Sequence, residues 1–232
     1  MEQSAVETVR TLESSRHDVG VHRNAYWWTL QFALQNFFAL WLNYRAYKIE
    51  NLPKSGGGLL VANHQSYLDP LLVGLPLTRP VSFLARDSLF KVPVIGWILR
   101  NTYVMPINRE AASTASLREC LKRMEEGYLV GMFPEGTRSL DGTIGELKPG
   151  FLALIRRSNL PVYPVGIAGA YEAFPKGAWF IRPKPVRVVY GEPITREELK
   201  PYLEKGREAE CMEFIRGRLE RCFVEAKQQL GE

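Results

Sequence analysis

Leu59-Leu60-Val61-Ala62-Asn63-His64-Gln65-Ser66-Tyr67-Leu68-Asp69-Pro70-Leu71-Leu72-Val73 joins an apolar run to a polar segment and then to a second apolar run. The first run has the length of a short buried strand. Pro70, just ahead of Leu71-Leu72-Val73, marks the opening of a helix. A strand that ends in polar residues and passes into a helix is the repeating unit of an α/β fold. The same junction carries His64 and Asp69, a candidate general base and a carboxylate to orient it. On a regular helix, residues five apart point roughly 140° apart. The pair therefore meets only if the chain is still turning as it enters the helix. The alternative is a core histidine with satisfied hydrogen bonds beside a helix-start aspartate.

Working outward, residues 81–84, 103–107, 129–133, 162–167 and 186–191 read as further strands, with Pro106 pushing the second of these toward an edge or a bulge. Between them lie helical segments: 92–99, starting at Pro93, and Ser116, Leu117, Cys120, Leu121 and Met124 at helical spacing with Gly127 as the cap. Residues 151–155 form another, and Ile215, Leu219, Cys222, Ala226 and Leu230 make one apolar stripe near the end. Thr195 with Glu198 makes a capping box. The expected fold is α/β, a mostly parallel central sheet of about six to seven strands flanked by helices. In such sheets ligands collect beyond the carboxyl ends of the strands. His64, Arg109, Glu135 and Arg138 each lie just past a predicted strand. Pro53-Lys54-Ser55-Gly56-Gly57-Gly58 precedes a strand instead of following one, so it reads as a flexible turn and not as a phosphate loop.

Upstream, 21 residues between Arg23 and Arg45 carry no charge and are crowded with aromatics, among them Trp27, Trp28, Phe32, Phe37, Phe38 and Trp41. The length suits a membrane span. Gln31, Gln35 and Asn36 in its middle argue against a simple one, because their amides would sit in hydrocarbon. A helix or helix pair at one leaflet is favoured, with a spanning helix and a buried helix of a soluble protein as the other readings. Residues 1–23 mix acids and bases, with no apolar stretch of the signal-peptide kind. The 232-residue chain has 46% apolar residues, enough for a sizeable core and against disorder throughout. Its net charge of +5 suits phosphate-bearing substrates, anionic membrane surfaces or nucleic acid, without choosing among them. Cys120, Cys211 and Cys222 form no C-x-x-C pair, which favours structural thiols in a reducing compartment.

Gly-x-Ser-x-Gly, metal-ligand spacing and a cysteine patterned with the histidine are all missing from the sequence. The base is then expected to activate a hydroxyl of the substrate itself, for direct attack on an already reactive acyl group such as a thioester. Arg109 and Arg138 suit bidentate binding of a phosphate, with Arg86, Lys91 and Lys148 as further cations. Basic stripes with interleaved aromatics are absent, so nucleic-acid binding is not expected.

Asn63-His64-x-x-x-x-Asp69 together with Phe133-Pro134-Glu135-Gly136-Thr137-Arg138-Ser139 resembles the glycerolipid acyltransferase family, in particular its 1-acylglycerol-3-phosphate (lysophosphatidic acid) acyltransferases. Asn108-Arg109 and Val162-Tyr163-Pro164-Val165 resemble two more of its blocks, in order between about Leu52 and Pro193. The resemblance implies that His64, oriented by Asp69, deprotonates the free hydroxyl of a lysophospholipid. Arg109 and Arg138 would hold the phosphate, and Glu135 and Gly136 would shape the acceptor site. Thr137, within the second motif, and the cations Arg86 and Lys91 complete the candidate substrate-binding residues. The donor would be acyl-CoA or acyl carrier protein, with no cofactor, no metal and no acyl-enzyme. It also implies a membrane partner, at the cytoplasmic face, with residues 1–48 as a membrane-associating helical segment and 49–232 as the acyltransferase domain. Rival readings are the same chemistry on glycerol-3-phosphate, another lysophospholipid or a lyso-aminolipid, and a non-catalytic lipid-binding protein of the same fold.

Overall fold

The computed structural model describes residues 25–107 and 114–231. In chain order the elements are α1 (Ala25–Trp41), β1 (Arg45–Tyr47), β2 (Gly58–Ala62), α2 (Asp69–Gly74), β3 (Val81–Arg86), α3 (Asp87–Phe90), α4 (Pro93–Asn101) and β4 (Met105–Ile107). They continue with α5 (Thr114–Glu125), β5 (Leu129–Met132), α6 (Leu152–Arg157), β6 (Val162–Ala168), α7 (Ala170–Ala173), β7 (Arg187–Tyr190), α8 (Arg196–Leu199) and α9 (Glu208–Gln228). Seven strands make one sheet in the order β1-β7-β6-β2-β5-β3-β4. Neighbours are parallel except β6 and β7, so β1 and β7 run opposite to the other five.

β2 is buried along its whole length. Because side chains alternate across a strand, Leu59 and Val61 enter one core and Leu60 and Ala62 the other. The first core is closed by α5, α6 and α9, through Cys120, Met124, Leu154, Ile155, Ile215 and Leu219. The second is closed by α1 and α2, through Phe38, Leu72 and Val73. The capping box forms as expected, with the Thr195 hydroxyl accepting from the Glu198 N–H and the Glu198 carboxylate from the Thr195 N–H. Gly57, read as part of a flexible turn, is buried where a Cβ would overlap the Met124 carbonyl, so close packing decides the residue there.

α1 is one 17-residue helix. The amides in its middle turn toward the protein: Gln31 Nε2 donates to the Leu75 carbonyl at 3.0 Å, and Gln35 Nε2 donates to the same carbonyl at 2.6 Å. Around the rest of its circumference Trp28, Phe32, Phe37, Leu40 and Trp41 are exposed. Among the described residues no helix is long and apolar enough to cross a membrane. Residues 45–47, which sequence reading grouped with the N-terminal segment, form the sheet-edge strand β1 against β7. Residues 1–24 lie outside the described residues.

α1 and β7 together hold α2, the short helix that begins at Asp69. The carbonyls at the end of a helix have no partners within it. Here Tyr44 Oη donates to the Leu72 carbonyl at 2.7 Å, Tyr190 Oη to the Val73 carbonyl at 2.6 Å, and Gln31 and Gln35 to Leu75. The two tyrosine hydroxyls are buried deeply enough to raise both phenols well above their ordinary value.

Candidate active site

β2 and β5 lie side by side and parallel, with Val61 opposite Met132. The segments leaving them, 63–69 and 133–139, therefore emerge together at one edge of the sheet. Asn63 pins the first to the neighbour on its other side. Its Nδ2 donates to the Ile167 carbonyl at 2.9 Å, and its Oδ1 accepts the Ile167 N–H at 2.7 Å. The backbone of His64 is held by the second segment: its N–H donates to Glu135 Oε1 at 2.8 Å, and its carbonyl accepts the Ser139 N–H at 2.7 Å. The imidazole stacks on Phe133 with centroids 4.1 Å apart, and Phe133 stacks on Phe83 at 5.7 Å. Gly131 makes room for that stack, since a Cβ there would overlap the Phe83 ring.

The five-residue spacing of His64 and Asp69 is met because residues 63–66 are not helical and the chain turns at 67–68 before α2 begins. Asp69 Oδ2 then lies 2.7 Å from His64 Nδ1. The same oxygen accepts the Gln65 N–H at 2.6 Å and the Ser66 N–H at 2.7 Å. Ser66 Oγ accepts the Leu68 N–H and donates to the Phe174 carbonyl. An oxygen already taking two N–H donors acts as the acceptor toward the imidazole, so Nδ1 carries the proton and Nε2 keeps its lone pair. Asp69 is fully buried, which raises its carboxyl above the ordinary range, while the contacts from His64, Ser66 and Gln65 work in the opposite direction. Burial likewise raises Glu135, against the hydrogen bonds it accepts from the His64 and Gly145 backbones.

Arg138 leaves the same loop half-buried. Its guanidinium lies 3.3 Å from the centre of the Tyr67 ring. No carboxylate pairs with it among the described residues, and its Nη1 is buried without a hydrogen-bond partner. A buried donor of this kind calls for an acceptor. Gly136 and Thr137 are exposed on the loop, and the Lys148 side chain runs beside Gly136. Glu135, by contrast, is 3% exposed, with one oxygen on His64 and the other on Gly145. It braces the His64 segment against the segment at Gly145.

Arg86 ends β3, the strand next to β5, and is opposite Ile107 of β4. Arg86 and Lys91, which flank α3, are both exposed and make no ion pair among the described residues. Arg109 falls within 108–113, outside the described residues. The fold thus brings His64, Asp69, Glu135, Gly136, Thr137 and Arg138 together on two adjacent strand ends, with Arg86 one strand further along. Sequence reading did not single out Asn63, Tyr67 or Phe133 individually. The signal available was their position inside the two motifs.

A family model described as Acyltransferase matches residues 43–168, more than half of the chain. The chain belongs to this acyltransferase family. It is similar to the 1-acyl-sn-glycerol-3-phosphate acyltransferase of Bacillus subtilis, with 26% identity over 188 residues, 81% of this chain and 92% of that one. It is also similar to the chloroplastic 1-acyl-sn-glycerol-3-phosphate acyltransferases BAT2 of Brassica napus, at 34% identity over 150 residues, and LPAT1 of Arabidopsis thaliana, at 33%. These two matches cover 63% of this chain, which spans only 43% and 42% of the plant proteins' lengths. Among solved structures it is similar to the 1-acyl-sn-glycerophosphate (LPA) acyltransferase PlsC of Thermotoga maritima. That match has a TM-score of 0.65 and 29% identity, and covers 84% of this chain and 85% of the other.

Proposed function

We propose that this chain moves a fatty acyl group from a thioester donor to the free hydroxyl of 1-acylglycerol-3-phosphate, giving phosphatidic acid. The observation that carries the reading is the 2.7 Å contact between His64 Nδ1 and buried Asp69 Oδ2, which leaves Nε2 as a base at the sheet edge where Arg138 has an unfilled donor. Nε2 takes the hydroxyl proton as the alkoxide oxygen attacks the thioester carbonyl carbon. The C–S bond breaks, and the imidazolium returns the proton to the departing thiolate, so an ester and a free thiol are formed. General-base assistance of this kind is worth about 10²–10⁴-fold. Arg138 binds the acceptor phosphate, with Lys148, Arg86, Lys91 and Arg109 as further cations; Gly136 and Thr137 line its approach. The donor is acyl-CoA or acyl carrier protein, and the reaction needs no cofactor and no acyl-enzyme.

The acceptor and product are membrane lipids, and α1 supports a seat at a bilayer surface. Its amides bond to the protein while Trp28, Phe32, Phe37 and Trp41 remain exposed, the pattern of a helix lying along an interface. The three free, buried thiols fit the reducing, cytoplasmic side.

Mass-spectrometric identification of the product tests the reading. The purified chain receives one acyl-CoA with a panel of lysophosphatidic acid, glycerol-3-phosphate and other lysophospholipids. Phosphatidic acid formed from lysophosphatidic acid in step with thiol release is expected. A faster product from another acceptor reassigns the substrate, and absence of thiol release with every acceptor and donor overturns the enzymatic reading.

A further inference from the structure

Residues 174–186 carry three cations, Lys176, Arg182 and Lys184, and no acid. All three are exposed, and none forms an ion pair among the described residues. Between them stand Trp179, 88% exposed, and Phe180, 47% exposed, with ring centroids 4.9 Å apart in an edge-on pair. An indole held this far out of a folded chain gains nothing from the core, and its exposure calls for a reason.

The loop is built rather than slack. Its base is closed by the Arg182 N–H donating to the Ala173 carbonyl at 2.9 Å, and an inner turn by the Ala178 N–H donating to Pro175 at 3.1 Å. It follows α7 from the carboxyl end of β6, which runs parallel to β2, so it issues from the same sheet edge as His64. Ser66, in the histidine motif, donates to the Phe174 carbonyl at the start of the loop. Trp41 Nε1, in the last turn of α1, donates to the Ile181 carbonyl at 2.9 Å, and its ring stacks on exposed Phe37. At the other end of α1, Tyr26 meets Trp97 of α4 with centroids 4.5 Å apart. There Val94, Ile95 and Trp97 are exposed as well. α1 thus joins two outlying apolar groups into one rim along the site edge, and in the loop 174–185 the exposed aromatics stand among three unpaired cations.

We propose that residues 174–185 are a second membrane contact, a basic-aromatic loop that seats on a bilayer carrying anionic phospholipid and, with α1, fixes the tilt of the site edge toward the lipid. The proposal rests on the reading of the acceptor as a membrane lipid. Trp and Phe prefer the headgroup boundary, and cations near an anionic leaflet add to the attraction.

The full chain and two variants, Trp179→Ser with Phe180→Ser, and Lys176→Gln with Arg182→Gln and Lys184→Gln, are sedimented with vesicles. One set of vesicles is phosphatidylcholine alone and the other phosphatidylcholine with phosphatidylglycerol. All are also assayed on a short-chain monomeric lysophosphatidic acid. The aromatic variant is expected to lose about tenfold in partitioning to both vesicles, and the charge variant about tenfold on the anionic ones alone. Both should keep wild-type melting temperatures and wild-type turnover of the monomeric acceptor. Variants that partition like wild type overturn the proposal. So does a change in oligomeric mass in place of vesicle binding, which would assign the loop to a second copy of the chain. A wild-type chain that acylates the monomeric acceptor but ignores vesicles removes the membrane seat and leaves the chemistry standing. A chain inactive on every acceptor removes the chemistry, while the vesicle comparison still decides the loop.

Discussion

Glu135 Oε1 accepts the backbone N–H of His64 at 2.8 Å, while its Oε2 accepts that of Gly145 at 2.9 Å. One buried carboxylate therefore ties the histidine loop, the loop after β5 and the segment leading to α6. Both of its oxygens are thus occupied by backbone donors of the protein.

This burial has a pH signature. Glu135 is raised above its ordinary 4.5 by burial, so the folded chain retains a proton that the unfolded chain has released. Its stabilising share is complete below about 4.5 and is lost as pH rises through the folded value, with a slope of up to about 1.4 kcal/mol per pH unit. Urea midpoints measured against pH should show this fall in the wild type and a flatter profile in Glu135→Gln. Parallel profiles for the two would contradict a buried, raised Glu135.

Asp69→Asn tests the orienting role. The amide oxygen still accepts from Gln65 and Ser66, so the turn into α2 is kept, but the side chain no longer stabilises the imidazolium. A fall in kcat of about 10²–10⁴-fold is expected, with both KM values within a factor of about three and with native circular dichroism. Loss of fold without a separable loss of kcat would make Asp69 a purely structural cap.

Arg138→Ala should raise KM for a phosphorylated acceptor about ten- to a hundredfold and leave KM for the acyl donor within a factor of about two. Tyr67, whose ring lies against the guanidinium, acts through it. Tyr67→Leu should raise the acceptor KM about two- to fivefold and Tyr67→Phe should restore it. Equal effects on donor and acceptor would argue against a phosphate role for this pair.

Burial pushes the thiols of Cys120 and Cys222 up to about 11 and raises Cys211 as well. At pH 8 about one part in a thousand of the first two is thiolate. Alkylating reagents should therefore leave the native chain unmodified by intact mass and fully active, and should label all three cysteines only after unfolding. Rapid inactivation would point to a reactive thiol.

The parallel part of the sheet was legible because buried strands such as β2 and β5 are short apolar runs whose ends lead into the motif residues. β1 was not: three residues, Arg45, Ala46 and Tyr47, at a sheet edge have no periodicity to read. The reversal at β7 was equally hidden, since strand direction depends on where the chain crosses and not on apolar content. His64, Asp69 and Arg138 stood out by chemistry and position. The contact of Tyr67 with Arg138 joins residues 71 apart, and the role of Glu135 as a brace depends on the Gly145 backbone, so neither follows from local pattern. The amides of Gln31 and Gln35 stand out in the sequence as polar groups within an apolar run; their partner, the Leu75 carbonyl beyond the end of α2, appears only in three dimensions.

Turnover by His64→Ala tests the proposed role of His64 as the base for direct transfer. The rate of phosphatidic acid formation from acyl-CoA and lysophosphatidic acid is measured at saturating concentrations of both, with melting temperature followed in parallel. The variant is expected to fold as the wild type does and to lose acyl transfer by about 10²-fold or more. A folded variant retaining near wild-type turnover would show that another group takes the proton.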